Sequence, residues 1–308
     1  MEHPAVVATS GDDPLPVIGL VAGDPGGVGP ELLSEVLRTA RQPSSGLEGV
    51  RLEVIGDPRP RNPGLPDKEG ALQAIDSLEE AARRAAAGEI AAVVTGPVSK
   101  KQLHEAGFLF PGQTEFFAAR AGVENFAMLL TGGPLTVALV TAHIPLRDVA
   151  VLLKTSEIVR VGGLLAAFLK RRGISTPRIA VAGLNPHAGE NGDLGDEEER
   201  LIAPALPLLR AAHSEASFSG PWSPDTIFWR AAQGEFDAVL CMYHDQGLIP
   251  LKLLGFHDGV NVTIGLPFIR TSPDHGTAYE LAGTGRARPD SFLAAVRLAA
   301  SLVRQSVV

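Results

Sequence analysis

The stretch AVLCMYHDQGLIPLKLLGF, residues 238–256, opens with five apolar residues and turns at once into Tyr243, His244, Asp245, Gln246 and Gly247. A short apolar run that ends in ionisable and amide side chains reads as a buried strand whose C-terminal end faces a ligand. The pattern recurs outward from there. PVIGLVAG, RLEVIGD, AAVVTGP, LTVALVTA, RIAVAGL and GVNVTIGLP also read as strands. Between them, PELLSEVLRTAR, ALQAIDSLEEAARRAAAG, TSEIVRVGGLLAAFLKRRG, EEERLIAPALPLLRAA and DSFLAAVRLAASLVRQ carry helical periodicity. This alternation predicts an α/β fold. In the second of these helices, Leu72, Ile75, Leu78 and Ala82 recur at three- and four-residue steps and are expected to form the buried stripe. No linker marks a domain boundary, so an inserted second domain and a tandem one are equally compatible with the sequence.

Composition narrows the function classes. The chain has 308 residues, 45% apolar and 20% charged, the mix of a globular protein long enough for two domains. A formal net charge of -8 weighs against nucleic-acid backbones and anionic membrane surfaces as partners. Any anionic ligand must therefore be held by local charges. Cys241 is the only cysteine, which excludes an intrachain disulfide and points to a reducing, cytoplasmic setting. The opening MEHPAVVATSGDDPLP lacks a basic segment followed by an apolar one, and no later apolar stretch approaches the ~20 residues of a membrane span, so neither export nor insertion is expected.

Four polar clusters fall at strand ends. AGDPGGVGPE, residues 22–31, matches neither the dinucleotide fingerprint nor the P-loop, and with Pro30 in a first helical turn a plain strand-to-helix connection and a ligand loop stand equally open. In residues 94–118, Thr95, Lys100, Gln113 and Thr114 are donors suited to a carboxylate or a phosphate monoester. Ser99 and Thr114 are expected to cap the two helices there, which is compatible with an anion site. His143, His187 and His244 each stand close to the end of their own strand. One such histidine is more often structural, but three neutral imidazoles suit a divalent metal and leave positions open for substrate. His3, His104, His213 and His257 read as surface residues. Farther on, Lys252, Asn261 and Arg270 add two cations and an amide, and Gly276 and Thr277 are expected to open a helix beside His275, a start that can hold a nucleotide.

At this point the motifs carry a resemblance. GDPGGVGPE, VTGPVSK, GQTEFFA, TAHIPLRD, GLNPHAGENG, YHDQGLIPLK, GVNVTIGLPFIRTSPDHGTA and ELAGTGRARPDSF, spread from about residue 16 to about residue 300, resemble the 4-hydroxythreonine-4-phosphate dehydrogenase family of vitamin B6 biosynthesis. The resemblance implies a two-domain isocitrate/isopropylmalate dehydrogenase-like fold with the active site in the interdomain cleft. Residues 14–127 plus 276–308 would form the first domain; 128–275 would form the second, with most metal and substrate ligands and the interface of a homodimer. It further implies that His143, His187 and His244 hold one divalent ion (zinc, magnesium, manganese or cobalt), with His244 reaching in from the partner subunit. The opening knot is then a metal-ligand turn.

By the same resemblance, Gln113, Thr114, Lys252, Asn261 and Arg270 bind substrate. Asp225 and Asp245 lie near the metal and join Lys252 as catalytic candidates. His275, Gly276, Thr277 and Ala278 receive the adenosine part of NAD or NADP. The implied reaction oxidises 4-(phosphooxy)-L-threonine to 2-amino-3-oxo-4-(phosphooxy)butanoate, which decarboxylates to 3-amino-2-oxopropyl phosphate. Gln113 stands where the family usually has a histidine, and it can donate a hydrogen bond but cannot become cationic. Threonate or erythronate 4-phosphate, or a carboxylated cis-dihydrodiol, are the alternative substrates, and a catalytically silent binding paralogue is the reading from another class.

Overall fold

The computed structural model describes residues 15–305. His3, residue 14 and residues 306–308 lie outside the described residues. Two compact units emerge: one runs up to Glu124 and resumes at Leu266, and the other is Asn125–Gly265.

The first unit opens with β1 (Val17–Val21), α1 (Gly29–Ala40), β2 (Arg51–Val54), α2 (Lys68–Ala86), β3 (Ala92–Thr95), α3 (Lys100–Glu105) and α4 (Gln113–Arg120). Asp67 caps α2 by accepting from Gly70 N at 2.7 Å. The buried face of α2 differs from the expected one. Leu78 and Ala82 are inside, but Leu72 is 42% exposed, and Ala71, Ala74, Ala81 and Ala85 fill the stripe instead. Small side chains let this helix lie close to its neighbours, so the larger leucine turns outward.

The second unit follows with β4 (Ala127–Gly132), β5 (Leu135–Leu139), α5 (Leu146–Leu152), α6 (Thr155–Arg171), β6 (Arg178–Ala182), α7 (Ala205–Ala212), β7 (Ser217–Trp222), α8 (Pro224–Ala232), β8 (Ala238–Cys241), α9 (His244–Leu254) and β9 (Val260–Ile264). Its strands run in the order β9-β4-β5-β8-β6-β7. β4 is antiparallel to β5 and β9, while β5, β8, β6 and β7 are parallel neighbours. Val137, Ala180, Val239, Cys241 and Leu251 pack into one cluster on this sheet. Two sequence expectations change here. EEERLIAPALPLLRAA is not one helix, because Pro204 has no N–H for the carbonyl a turn earlier; a wide turn at Glu198–Ile202 ends and α7 restarts after the proline. The knot after β8 is not a turn but the start of α9, with His244 as its first residue.

The chain then returns to the first unit as β10 (Ile269–Pro273) and α10 (Asp290–Gln305). β10 pairs parallel with β3, completing the order β2-β1-β3-β10. That pairing moves the second boundary from the expected residue 275 back to Gly265, and it assigns Arg270 to the first unit. β3 and β10 are buried along their whole length, as parallel strands covered on both faces must be. Among the described residues no helix is long and apolar enough to cross a membrane.

Glycines close the end of β1. A Cβ on Gly29 would lie 1.9 Å, and one on Gly96 2.0 Å, from the carbonyl oxygen of Ala22. Gly96→Ala is therefore expected to lower stability by about 3 kcal/mol, since backbone cannot move aside as a side chain can. A urea unfolding midpoint equal to that of the parent would refute this.

Candidate functional site

In the second unit the C-terminal ends of β5, β8, β6 and β7 lead into His143, His244, His187 and Asp225 respectively. This is the edge of a parallel sheet where loops and helix N-termini meet ligands. The rings of His143 and His244 face each other with centroids 5.4 Å apart and help line a pocket of about 200 Å3. Asp245 Oδ1 meets His244 Nδ1 at 2.7 Å, which leaves Nε2 as the ring nitrogen that a metal could use. Two imidazoles on one tetrahedral ion, with metal–nitrogen bonds near 2.0–2.1 Å, hold their centroids roughly 5 Å apart, so the pair fits a divalent metal.

Within one chain His187 completes no metal-holding group with this pair. Among the described residues of one chain no group of three or more His, Cys, Asp or Glu side chains could hold a metal. Within one chain the ring of His244 lies beside that of His143. The electrostatic neighbour of His187 is Asp225, whose carboxyl is held below the ordinary range by a 2.5 Å hydrogen bond from Ser223 Oγ and by the nearby imidazole. Strand order explains both associations, since β5 and β8 are neighbours and so are β6 and β7. His187 opens a left-handed turn, with φ of 52, 54, 80, 46 and 57° from His187 to Asn191. Each non-glycine residue held there costs roughly 1–2 kcal/mol, so the surroundings must impose the shape. His143 is also left-handed, with φ of 52°.

Lys252 and Asn261 do not join these histidines within one chain. Lys252 is eight positions after His244 on α9, roughly 12 Å along the axis at 1.5 Å per residue. Asn261 pairs with Leu130, which in turn pairs with Val137, well before His143 along the sheet. The buried Oδ1 of Asn261 has no hydrogen-bond partner, an atom that a ligand donor would satisfy.

In the first unit Arg270 is 3% exposed. Its Nη2 donates to Thr95 Oγ1 at 2.8 Å and to Gln113 Oε1 at 3.0 Å, and the guanidinium lies 5.7 Å from the Phe117 ring centroid. Burial pushes the guanidinium down to about 10, opposed by the Glu115 carboxylate. Gln113 Nε2 donates to the carbonyl of Gly96 at 3.2 Å, so its acceptor, not its donor, is the end turned to the cation. Thr114 stands in the first turn of α4; the capping position is Gly112, whereas Ser99 does cap α3.

The segment expected to receive the cofactor is not a helix. Ala278 is left-handed at φ 42°, which stops a helix from forming after Gly276 and Thr277. His275 Nδ1 donates to the carbonyl of Gly276 at 2.9 Å, and its buried Nε2 has no partner, so an acceptor waits there for a ligand donor. The AGDPGGVGPE loop grips this segment. Val28 N donates to Thr277 O at 2.9 Å, and Tyr279 OH donates to Asp24 Oδ2 at 2.6 Å. Burial and the Asp24 bond push the phenol up to about 12.

The sequence reading missed Gln246. It accepts from Met242 N at 2.6 Å and donates to Gly183 O at 2.6 Å, tying the ends of β8 and β6. Its only sequence signal was its place in the knot. His104 and His257 are exposed as expected, but His213 is half-buried against Phe218.

The family described as "Pyridoxal phosphate biosynthetic protein PdxA" matches residues 32–299. The chain is 45% identical to the 4-hydroxythreonine-4-phosphate dehydrogenase of Desulfosudis oleivorans, covering 93% of this chain and 96% of that one. It is 44% identical to the D-threonate 4-phosphate dehydrogenase of Pectobacterium atrosepticum, covering 83% and 78%. The crystal structure of a 4-hydroxythreonine-4-phosphate dehydrogenase from Klebsiella pneumoniae matches with a TM-score of 0.78 at 38% identity, covering 94% of this chain and 99% of that one. The shared architecture is isocitrate/isopropylmalate dehydrogenase-like.

Proposed function

The chain belongs to the PdxA family of pyridoxal phosphate biosynthetic proteins, and from that premise we propose that it is a divalent-metal-dependent, NAD(P)-dependent 4-hydroxythreonine-4-phosphate dehydrogenase. It oxidises the C3 hydroxyl of 4-(phosphooxy)-L-threonine, and the β-keto acid formed loses carbon dioxide to give 3-amino-2-oxopropyl phosphate. The observation that carries this reading is the His143–His244 pair, 5.4 Å between centroids, at adjacent strand ends. When bound, a divalent cation supplies Lewis acidity at a substrate oxygen and a nicotinamide supplies the hydride acceptor.

The chain's own residues do the rest. Arg270, together with Thr114, the residue after Gln113, anchors an anionic end of the substrate, and Gln113 steadies Arg270. Asp245 fixes the His244 ring. His275, Gly276, Thr277 and Ala278 receive the cofactor. Lys252 takes the hydroxyl proton and Asn261 donates to, or accepts from, the substrate's polar groups. Their separation from the histidines within one chain supports a site shared between two copies. The helix that carries both His244 and Lys252 also exposes Ile249 at 67% and Leu253 at 82%, an apolar face suited to a second subunit. The single, buried Cys241 supports a cytoplasmic setting.

D-Threonate 4-phosphate is the second reading, favoured by the 44% identity to a relative named D-threonate 4-phosphate dehydrogenase. The two substrates share the 4-phosphate and differ at C2, an amine against a hydroxyl. Specificity constants for both, with NAD and with NADP and with each of zinc, magnesium, manganese and cobalt, decide between them. No oxidation of either under any combination would overturn the dehydrogenase assignment.

A further inference from the structure

We propose that Glu198 is a positioning residue for His187, the buried carboxylate on which the left-handed turn carrying that histidine is moulded. The inference rests on the reading of His187 as a metal ligand. Glu198 is 4% exposed although it sits in a run of charged surface residues. Its Oε1 accepts from both Leu184 N and Asn185 N at 2.7 Å, the two residues that lead from Gly183 toward His187. Its Oε2 accepts from Asn185 Nδ2 at 2.9 Å, and the same amide donates to Glu197 Oε2 at 2.7 Å.

The carboxylate also sits against the turn itself. A Cβ on Gly189, in the middle of the left-handed run, would lie 2.8 Å from Glu198 Oε2. One on Gly183 would lie 3.0 Å from Glu198 Oε1 and 3.0 Å from the Cα of Ala188. Glu198 therefore touches the entry and the centre of the turn and fixes the backbone on both sides of His187. A carboxylate suits this place because all three of its partners are donors. Glutamine keeps the shape, but its NH2 must face either the Asn185 amide or the two backbone N–H groups, donor against donor. The imidazole itself is left untouched by that change.

The test is a double-mutant cycle in metal affinity. Cobalt(II) alone, without substrate or cofactor, is titrated into the full-length protein and followed by its visible absorption, for the parent, Glu198→Gln, His187→Ala and the double variant, with thermal midpoints measured in parallel. Glu198→Gln is expected to weaken cobalt binding by about ten- to a hundredfold, the range typical of residues that orient a metal ligand. In the His187→Ala background the same substitution is expected to change nothing further. An unchanged affinity in Glu198→Gln overturns the proposal, as does an equal loss in both backgrounds, which would mark Glu198 as a general support of the fold. His187→Ala binding cobalt as the parent does is a different result, which overturns the ligand reading itself. If Glu198→Gln fails to fold, Asn185→Ala runs the same cycle, since it removes the amide bond to Oε2 and leaves the two backbone bonds in place.

Discussion

His244→Ala is expected to lose divalent-metal affinity by on the order of a hundred- to a thousandfold, and turnover with it. Four-ligand zinc sites bind with about 10–16 kcal/mol, so one imidazole contributes roughly 3–4 kcal/mol, and each 1.4 kcal/mol is a factor of ten. The fold should survive, because His244 is the first residue of α9 and its side chain is 33% exposed. Metal content after dialysis and a circular-dichroism melt check both halves of the expectation; unchanged metal content would remove His244 from the ligand set. Subunit mixing then locates the ligands. His187→Ala mixed with His244→Ala should regain activity under subunit exchange, since one site of the mixed dimer is intact. His143→Ala mixed with His244→Ala should stay inactive, because those rings pair within one chain. Activity regained in the second mixture would instead mean that His244 works in the partner's site.

Arg270→Met is expected to lower kcat/KM for a 4-phosphorylated substrate by on the order of a thousandfold while leaving stability equal or slightly higher. Two hydrogen bonds from a charged group to the substrate anion, at about 1.5–3 kcal/mol each, account for a loss of that size. Stability behaves differently because the guanidinium is fully desolvated and burial already disfavours its charge. Met fills much of the same volume with no charge to desolvate, which offsets the two hydrogen bonds lost at Thr95 and Gln113. Arg270→Lys should not restore activity, since a point charge cannot reach Thr95, Gln113 and an anion together as a planar fork does. A specificity constant equal to the parent's would end the substrate-ligand assignment. A stability loss above about 3 kcal/mol would make Arg270 a structural residue, as expected for a buried charge whose removal leaves its partners unsatisfied.

The α/β class, most of the strands and the placing of three histidines at strand ends are legible in the amino-acid sequence. Those features are local, because the period of a helix or strand and the residue that ends it are written in consecutive positions. Local signals also explain the misreadings. In α9 a short apolar run with Pro250 inside it carries no clear period, and the strands at 127–132, 217–222 and 269–273 lack a distinct pattern. Which polar groups meet depends on how the strands are ordered in space. β8 pairs with β5, whose end carries His143 to His244, and β6 pairs with β7, whose ends carry His187 and Asp225 together. The Arg270–Gln113 contact joins positions 157 apart. The burial of Glu198 among three donors follows from how a left-handed turn folds back over it. A side chain's partner in such cases is set by strand order and chain reversal, which no run of neighbouring residues encodes.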